Sequence, residues 1–129
     1  VKMMRIHFLA AGLLLATAAL AQTDTVHRTT LQEQQFPEPK YHTITVRTVI
    51  DPGGTVAAHT HPGAEMAYVE SGSATLTLAL AAPRTLAAGD SFTIVQGTIH
   101  ALTNAGKTPL TVISTYVVER GMPVAIPAR

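Results

Sequence analysis

The chain alternates between short apolar–polar segments and clusters of turn residues. Thr43-Ile44-Thr45-Val46-Arg47-Thr48-Val49 alternates over most of its length and is rich in β-branched side chains, the pattern of a strand with one buried face. Asp51-Pro52-Gly53-Gly54 ends it. A segment from Glu65 to Glu70 follows, closed by Ser71-Gly72. Ala74, Leu76, Leu78 and Leu80 then fall on one face of the next strand and Thr75 and Thr77 on the other, because strand side chains alternate. Ala88-Gly89-Asp90 turns the chain, Phe92 and Ile94 form a short apolar pair, and Val95-Gln96-Gly97 turns it again. The last long strand is expected from about Leu110 to Val118. No segment has a convincing helical period. Strand signals at intervals of roughly ten residues predict an all-β sandwich or barrel that closes its sheets or covers their edges.

The first forty residues do not share this rhythm. Lys2 and Arg5 precede the short apolar run Phe8 to Ala16, and Ala19-Leu20-Ala21 has the form of a cleavage site. Residues 1–21 therefore read as a signal peptide, too short in its apolar run for a spanning helix, which needs roughly 20 such residues. This predicts a periplasmic or secreted protein with no membrane attachment after cleavage. Residues 22–40 read as a polar N-terminal arm, with Pro37-Glu38-Pro39 breaking regular structure, and 41–129 as the barrel domain.

Removing the leader changes the charge picture. The chain has nine Lys plus Arg and eight Asp plus Glu; Lys2 and Arg5 leave with the leader, so seven and eight remain, a net charge of −1. There is no basic stripe and no aromatic platform, which argues against nucleic-acid binding. Cysteine is absent, so stability rests on a single core, with help from a bound ion or a partner subunit.

Candidate chemistry is concentrated in His59, His61, Glu65 and His100. Two histidines one residue apart point the same way on a strand. Pro62-Gly63 offers a turn that would return Glu65 on a neighbouring strand opposite the two rings. With His100, these residues would make a metal site of three imidazoles and one carboxylate. Such a set suits divalent transition ions (Fe, Mn, Ni, Cu or Zn) and leaves coordination positions open. Buried together without a cation, these groups would be costly. Arg47, Met66, Tyr68, Phe92 and Tyr116 are candidates for a substrate pocket, each with ordinary packing or solvation as the alternative. His27 and His42 have no such context, and His7 lies in the leader. No Ser-His-Asp order, phosphate loop or dinucleotide fingerprint is visible.

These residues resemble the cupin family. Gly53, His59, His61, Glu65 and Gly72 match the first cupin motif at every spacing. Gly89, Gly97, His100 and Asn104 match the second, with Val95 in place of its proline. The resemblance implies a double-stranded β-helix, or jelly-roll barrel, with the metal near its wide mouth. It also implies dioxygenase-like chemistry of the quercetin-dioxygenase kind, or isomerase or lyase chemistry, on a small organic molecule. In that setting Glu65 would double as a catalytic base. Pairing through edge strands or an exchanged arm would give a homodimer. The same ligand set is compatible with a non-catalytic module that binds a small ligand or sequesters metal, because fold does not select activity.

Overall fold

The computed structural model describes residues 24–35 and 38–129; the expected signal peptide lies outside the described residues, as does His7. Ten strands follow one another: β1 Val26–Gln34, β2 Tyr41–Ile50, β3 Thr55–Thr60, β4 Gly63–Ser71, β5 Ser73–Leu78, β6 Ala81–Ala87, β7 Ser91–Ile94, β8 His100–Thr103, β9 Leu110–Glu119 and β10 Ile126–Pro127. They form two five-stranded antiparallel sheets, ordered β1-β2-β9-β4-β7 and β10-β3-β8-β5-β6. Among the described residues there is no helix. The fold is an all-β jelly roll, and the sheets enclose the core between their inner faces.

Alternation decides which side chains meet inside. Ile44, Val46 and Ile50 of β2 share the buried inner face of the sheet with Leu110 and Val112 of β9 and with Ala67 and Val69 of β4. Leu76, Leu86 and Leu102 close the core from the second sheet. The dense packing gathers around Ile50, Val69, Leu76, Leu110 and Val112. The row of Ile44, Tyr116 and Glu65, four to six residues along these strands, is where polar groups enter the interior.

Asn104, the last residue of the second motif, has a structural task. It is fully buried, its side-chain nitrogen donates to the Ile50 and Thr108 carbonyls at 2.9 and 2.8 Å, and its Oδ1 accepts from the Gly106 N–H at 2.9 Å. One side chain thus ties the end of β2 to both sides of the loop between β8 and β9. Gly72 turns β4 into β5 with φ +82°, and a Cβ there would meet the Pro109 carbonyl oxygen at 2.7 Å, so the position excludes side chains on two counts.

Several local expectations need correction. The polar arm contains β1, which pairs along β2 with a register shift between Thr30 and Gln32. Its strand signal was hidden because nearly every residue in it is exposed. Leu80 does not share a face with Leu76 and Leu78; it sits in the β5–β6 turn, fully exposed. β6 carries Pro83 and is tolerated as a strand because it is the sheet's edge. Pro62-Gly63 does not make a hairpin either. It carries the chain from β3 in one sheet to β4 in the other, so Glu65 faces the histidines across the sandwich.

Candidate metal centre

A bulge aims the first histidine. β3 pairs with β8 at Val56↔Leu102 and again at His59↔His100, so three residues on one strand span two on the other. Val56 faces inward, and without the extra residue simple alternation would send His59 outward. The bulge at Ala57 and Ala58 turns it in. His61 follows two residues later and is buried, and His100 opens β8, also buried.

The three rings sit 4.2–5.0 Å apart by their centroids. One nitrogen from each lies within 4.8 Å of the others, close to the span of about 4.4 Å that two opposed donors can have on one ion at about 2.2 Å. Each Nδ1 faces a backbone carbonyl: His59 toward Ala57 at 2.7 Å, His61 toward Val124 at 2.6 Å and His100 toward Thr98 at 3.0 Å. A carbonyl can only accept, so each Nδ1 carries the proton and each Nε2 is left free to ligate. Glu65 Oε2 lies 3.1 Å from His61 Nε2 and 3.4 Å from His100 Nε2. Without a cation, those lone pairs and the carboxylate confront one another unless the rings are protonated. The donor set fits a divalent ion, and these three histidines could hold one.

The electrostatics follow from this crowding. Burial pushes the Glu65 carboxyl up, but hydrogen bonds from His100 and His61, whose Nε2 atoms donate once the rings are protonated, and from Ser114 outweigh it and hold the group well below the usual carboxylate range. Burial pushes His61 down, and the hydrogen bonds to Glu65 and the Val124 carbonyl reverse that, leaving it raised. His59 is lowered, chiefly by burial, against the pull of the Ala57 carbonyl. Burial and the Glu65 charge push the Tyr116 hydroxyl up, so it keeps its proton.

The cluster forms one wall of a cavity of about 320 Å³. Phe92 and Tyr116 line it. Arg47, Met66 and Tyr68 do not, which corrects their place as pocket candidates. Glu65 and Ala67 face inward, so Met66 and Tyr68 between and beyond them face outward, 43% and 49% exposed. Arg47 is likewise on the outer face, 3.4 Å from Glu70. His27 pairs with Asp51 at the surface. The rim has contributors that sequence reasoning passed over: Arg28, Thr30 and Glu33 of β1, and Val124 and Ala125 ahead of β10. Arg28, Thr30 and Glu33 carry no sequence signal of this, because their strand lacks an apolar alternation that would mark an inner face.

A family model described as the cupin domain matches residues 46–128, well over half of the chain. The chain belongs to the cupin family. Germin-like protein 1 of Brassica napus is 38% identical to this cupin over 77 residues, which cover 56% of the chain and 37% of that protein. The cupin thus spans little more than a third of that relative's length. Among solved structures, a double-stranded β-helix protein from Klebsiella pneumoniae superposes with a TM-score of 0.66 at 22% identity, covering 84% of this chain and 90% of that one. An oxalate oxidase gives 0.66 at 21%, over 84% and 57%. KdgF from Halomonas sp. gives 0.59 at 20%, over 71% and 78%. At these identities the structures establish the fold.

Proposed function

We propose that this cupin is a metal-dependent enzyme acting on a small organic molecule, with the ion held by His59, His61, His100 and Glu65. The observation that carries the proposal is the shared orientation of the three imidazoles. Each is locked by a backbone carbonyl so that its other nitrogen is free to ligate, and those of His61 and His100 face Glu65 at the wall of a cavity. A divalent ion there would supply Lewis acidity toward a substrate oxygen, and its identity among Fe, Mn, Ni, Cu and Zn divides dioxygenase-like chemistry from isomerase or lyase chemistry.

The chain's own residues supply the rest. Glu65, which faces His61 and His100 at the cavity wall, would take a proton from a bound substrate. Tyr116 keeps its hydroxyl proton and can donate to charge developing on a substrate oxygen. Ile44, Val46, Leu102 and Val112 keep water from the remaining walls. A cavity of about 320 Å³ is at the small end of ligand pockets, which favours a compact substrate. One solved relative in fold, an oxalate oxidase, is known in complex with glycolate, in keeping with a small oxygenated ligand. Export belongs to the same proposal and rests on the pattern of residues 1–21; protein recovered from its host with Gln22 as first residue would support it.

The test is to load the purified protein with each ion and follow oxygen uptake and product formation over phenols, flavonols, diketones and hydroxy acids. Turnover abolished by both His61→Ala and Glu65→Ala supports the enzyme. Tight, reversible binding without turnover under every ion would make it a binding module instead.

A further inference from the structure

Resting on the proposed metal site, we infer that Arg28 is the specificity-determining residue of the cavity, selecting small organic acids whose carboxylate it holds while their oxygen-bearing opposite end meets the histidine cluster. The inference starts from the register of β1. Arg28 lies opposite Thr48 and Thr30 opposite Val46. Both partners are buried on the inner face of β2, so the side chains of Arg28 and Thr30 turn toward the same interior. The register shift after Thr30 then brings Glu33 opposite Ile44. All three line the cavity.

The two arginines on neighbouring strands contrast sharply. Arg47, on the outer face, is tied to Glu70. The Arg28 guanidinium makes no ion pair or side-chain hydrogen bond with any described residue. An unpaired guanidinium at the mouth of an apolar cavity is a planar, permanently charged fork, suited to a carboxylate held by two parallel hydrogen bonds.

The distances define the class of ligand. Four residues of β2 separate Thr48, level with Arg28, from Ile44, level with Tyr116 and Glu65. That is about 13 Å at the strand rise, and the length of the arginine side chain takes up part of it. The wall between is apolar, formed by Val46, Val112, Leu102 and Phe92. The matching ligand has a metal-binding oxygen group, an aromatic or short aliphatic body, and one carboxylate. Glu33 at the rim and Glu65 within disfavour any second anionic group away from Arg28 or the ion.

The experiment uses zinc, which is redox-silent, and a pair of probes: dihydrocaffeate, a catechol with a propanoate tail, and its methyl ester. Calorimetry on the zinc-loaded protein should show the acid bound about tenfold or more tighter than the ester, the advantage of one charge-assisted pair. Added salt should erode that advantage. Arg28→Gln should remove the preference by weakening the acid far more than the ester, and Arg28→Lys should keep part of it. Equal binding of acid and ester to the wild type, or a preference surviving in Arg28→Gln, overturns the inference. If zinc binds but neither probe does, Arg28 fails as a selector and the metal site stands. If zinc itself fails to bind, the metal proposal fails. Hydrocinnamate against its methyl ester, on the metal-free protein, then decides the role of Arg28 by the same criterion.

Discussion

Replacing Glu65 by glutamine keeps the side chain's volume and removes its charge, and its effect should differ sharply between the metal-free and metal-loaded protein. Near pH 8 without metal, the Nδ1 protons of the three histidines are committed to backbone carbonyls. The Nε2 lone pairs of His61 and His100 then face Glu65 at 3.1 and 3.4 Å with no proton between them. A buried carboxylate left short of donors costs about 1–3 kcal/mol, and the amide of glutamine relieves part of this by donating. Glu65→Gln should therefore be no less stable than wild type in a chelator. With zinc at about one hundred times the wild-type Kd, wild type gains about 2.7 kcal/mol. If loss of the charged ligand weakens binding about 100-fold, the variant sits at its own Kd and gains only about 0.4 kcal/mol. The difference of about 2.3 kcal/mol corresponds to roughly 10–20 °C in Tm for a domain near 100 residues. Thermal unfolding followed by circular dichroism, with chelator and with zinc, reads both arms. A variant destabilised by more than about 1 kcal/mol in chelator, or one stabilised by zinc as much as wild type, would refute the reasoning.

Three further expectations follow from other parts of the molecule. Asn104→Ala removes three hydrogen bonds and should cost about 3 kcal/mol at about 1 kcal/mol each, lowering the urea midpoint while leaving zinc affinity in the folded protein unchanged. Deleting residues 121–129 removes the Val124 carbonyl that orients His61; zinc affinity measured by competition should fall about 10–100-fold with the strand content of the sandwich retained. In the metal-free protein His61, despite burial, is raised above the ordinary histidine value of about 6.5 by its hydrogen bonds to Glu65 and the Val124 carbonyl. Its contribution to stability is thus complete below about pH 6.5 and is lost as pH rises through the folded value. The lowered His59 acts in the opposite sense, its penalty growing as pH falls below about 6.5. Comparing urea midpoints of wild type and His61→Gln isolates the former. The advantage of wild type should shrink as pH rises, and a constant or growing advantage would contradict the assignment.

The strands that bury one face were legible in the sequence, because β5 and β7 carry their apolar residues at every second position, β2 does so over part of its length, and β4 and β9 are apolar segments bounded by turn residues. Those lacking that contrast were not: β1 is exposed on nearly every residue, β8 is short and opens with His100, and β10 has two residues. The histidines and Glu65 stood out by spacing, yet their geometry depends on features no spacing reveals. The bulge before His59 reverses the facing that simple alternation assigns, and Val124 approaches His61 from 63 residues away. Met66 and Tyr68 are a different case. Once Glu65 is taken as inward, alternation alone sends both outward, as observed. Arg47 is the arginine the sequence offers as a pocket residue, whereas Arg28 lines the cavity, because only the pairing of β1 with β2 decides which arginine faces the interior.

X-ray absorption at the edge of the ion bound to the purified protein tests the central claim most directly. The account predicts one divalent transition ion per chain, with three imidazole nitrogens at about 2.0–2.2 Å, a carboxylate oxygen, and loss of one imidazole in His100→Ala. A spectrum with fewer than three imidazoles, or one unchanged by that substitution, would contradict it.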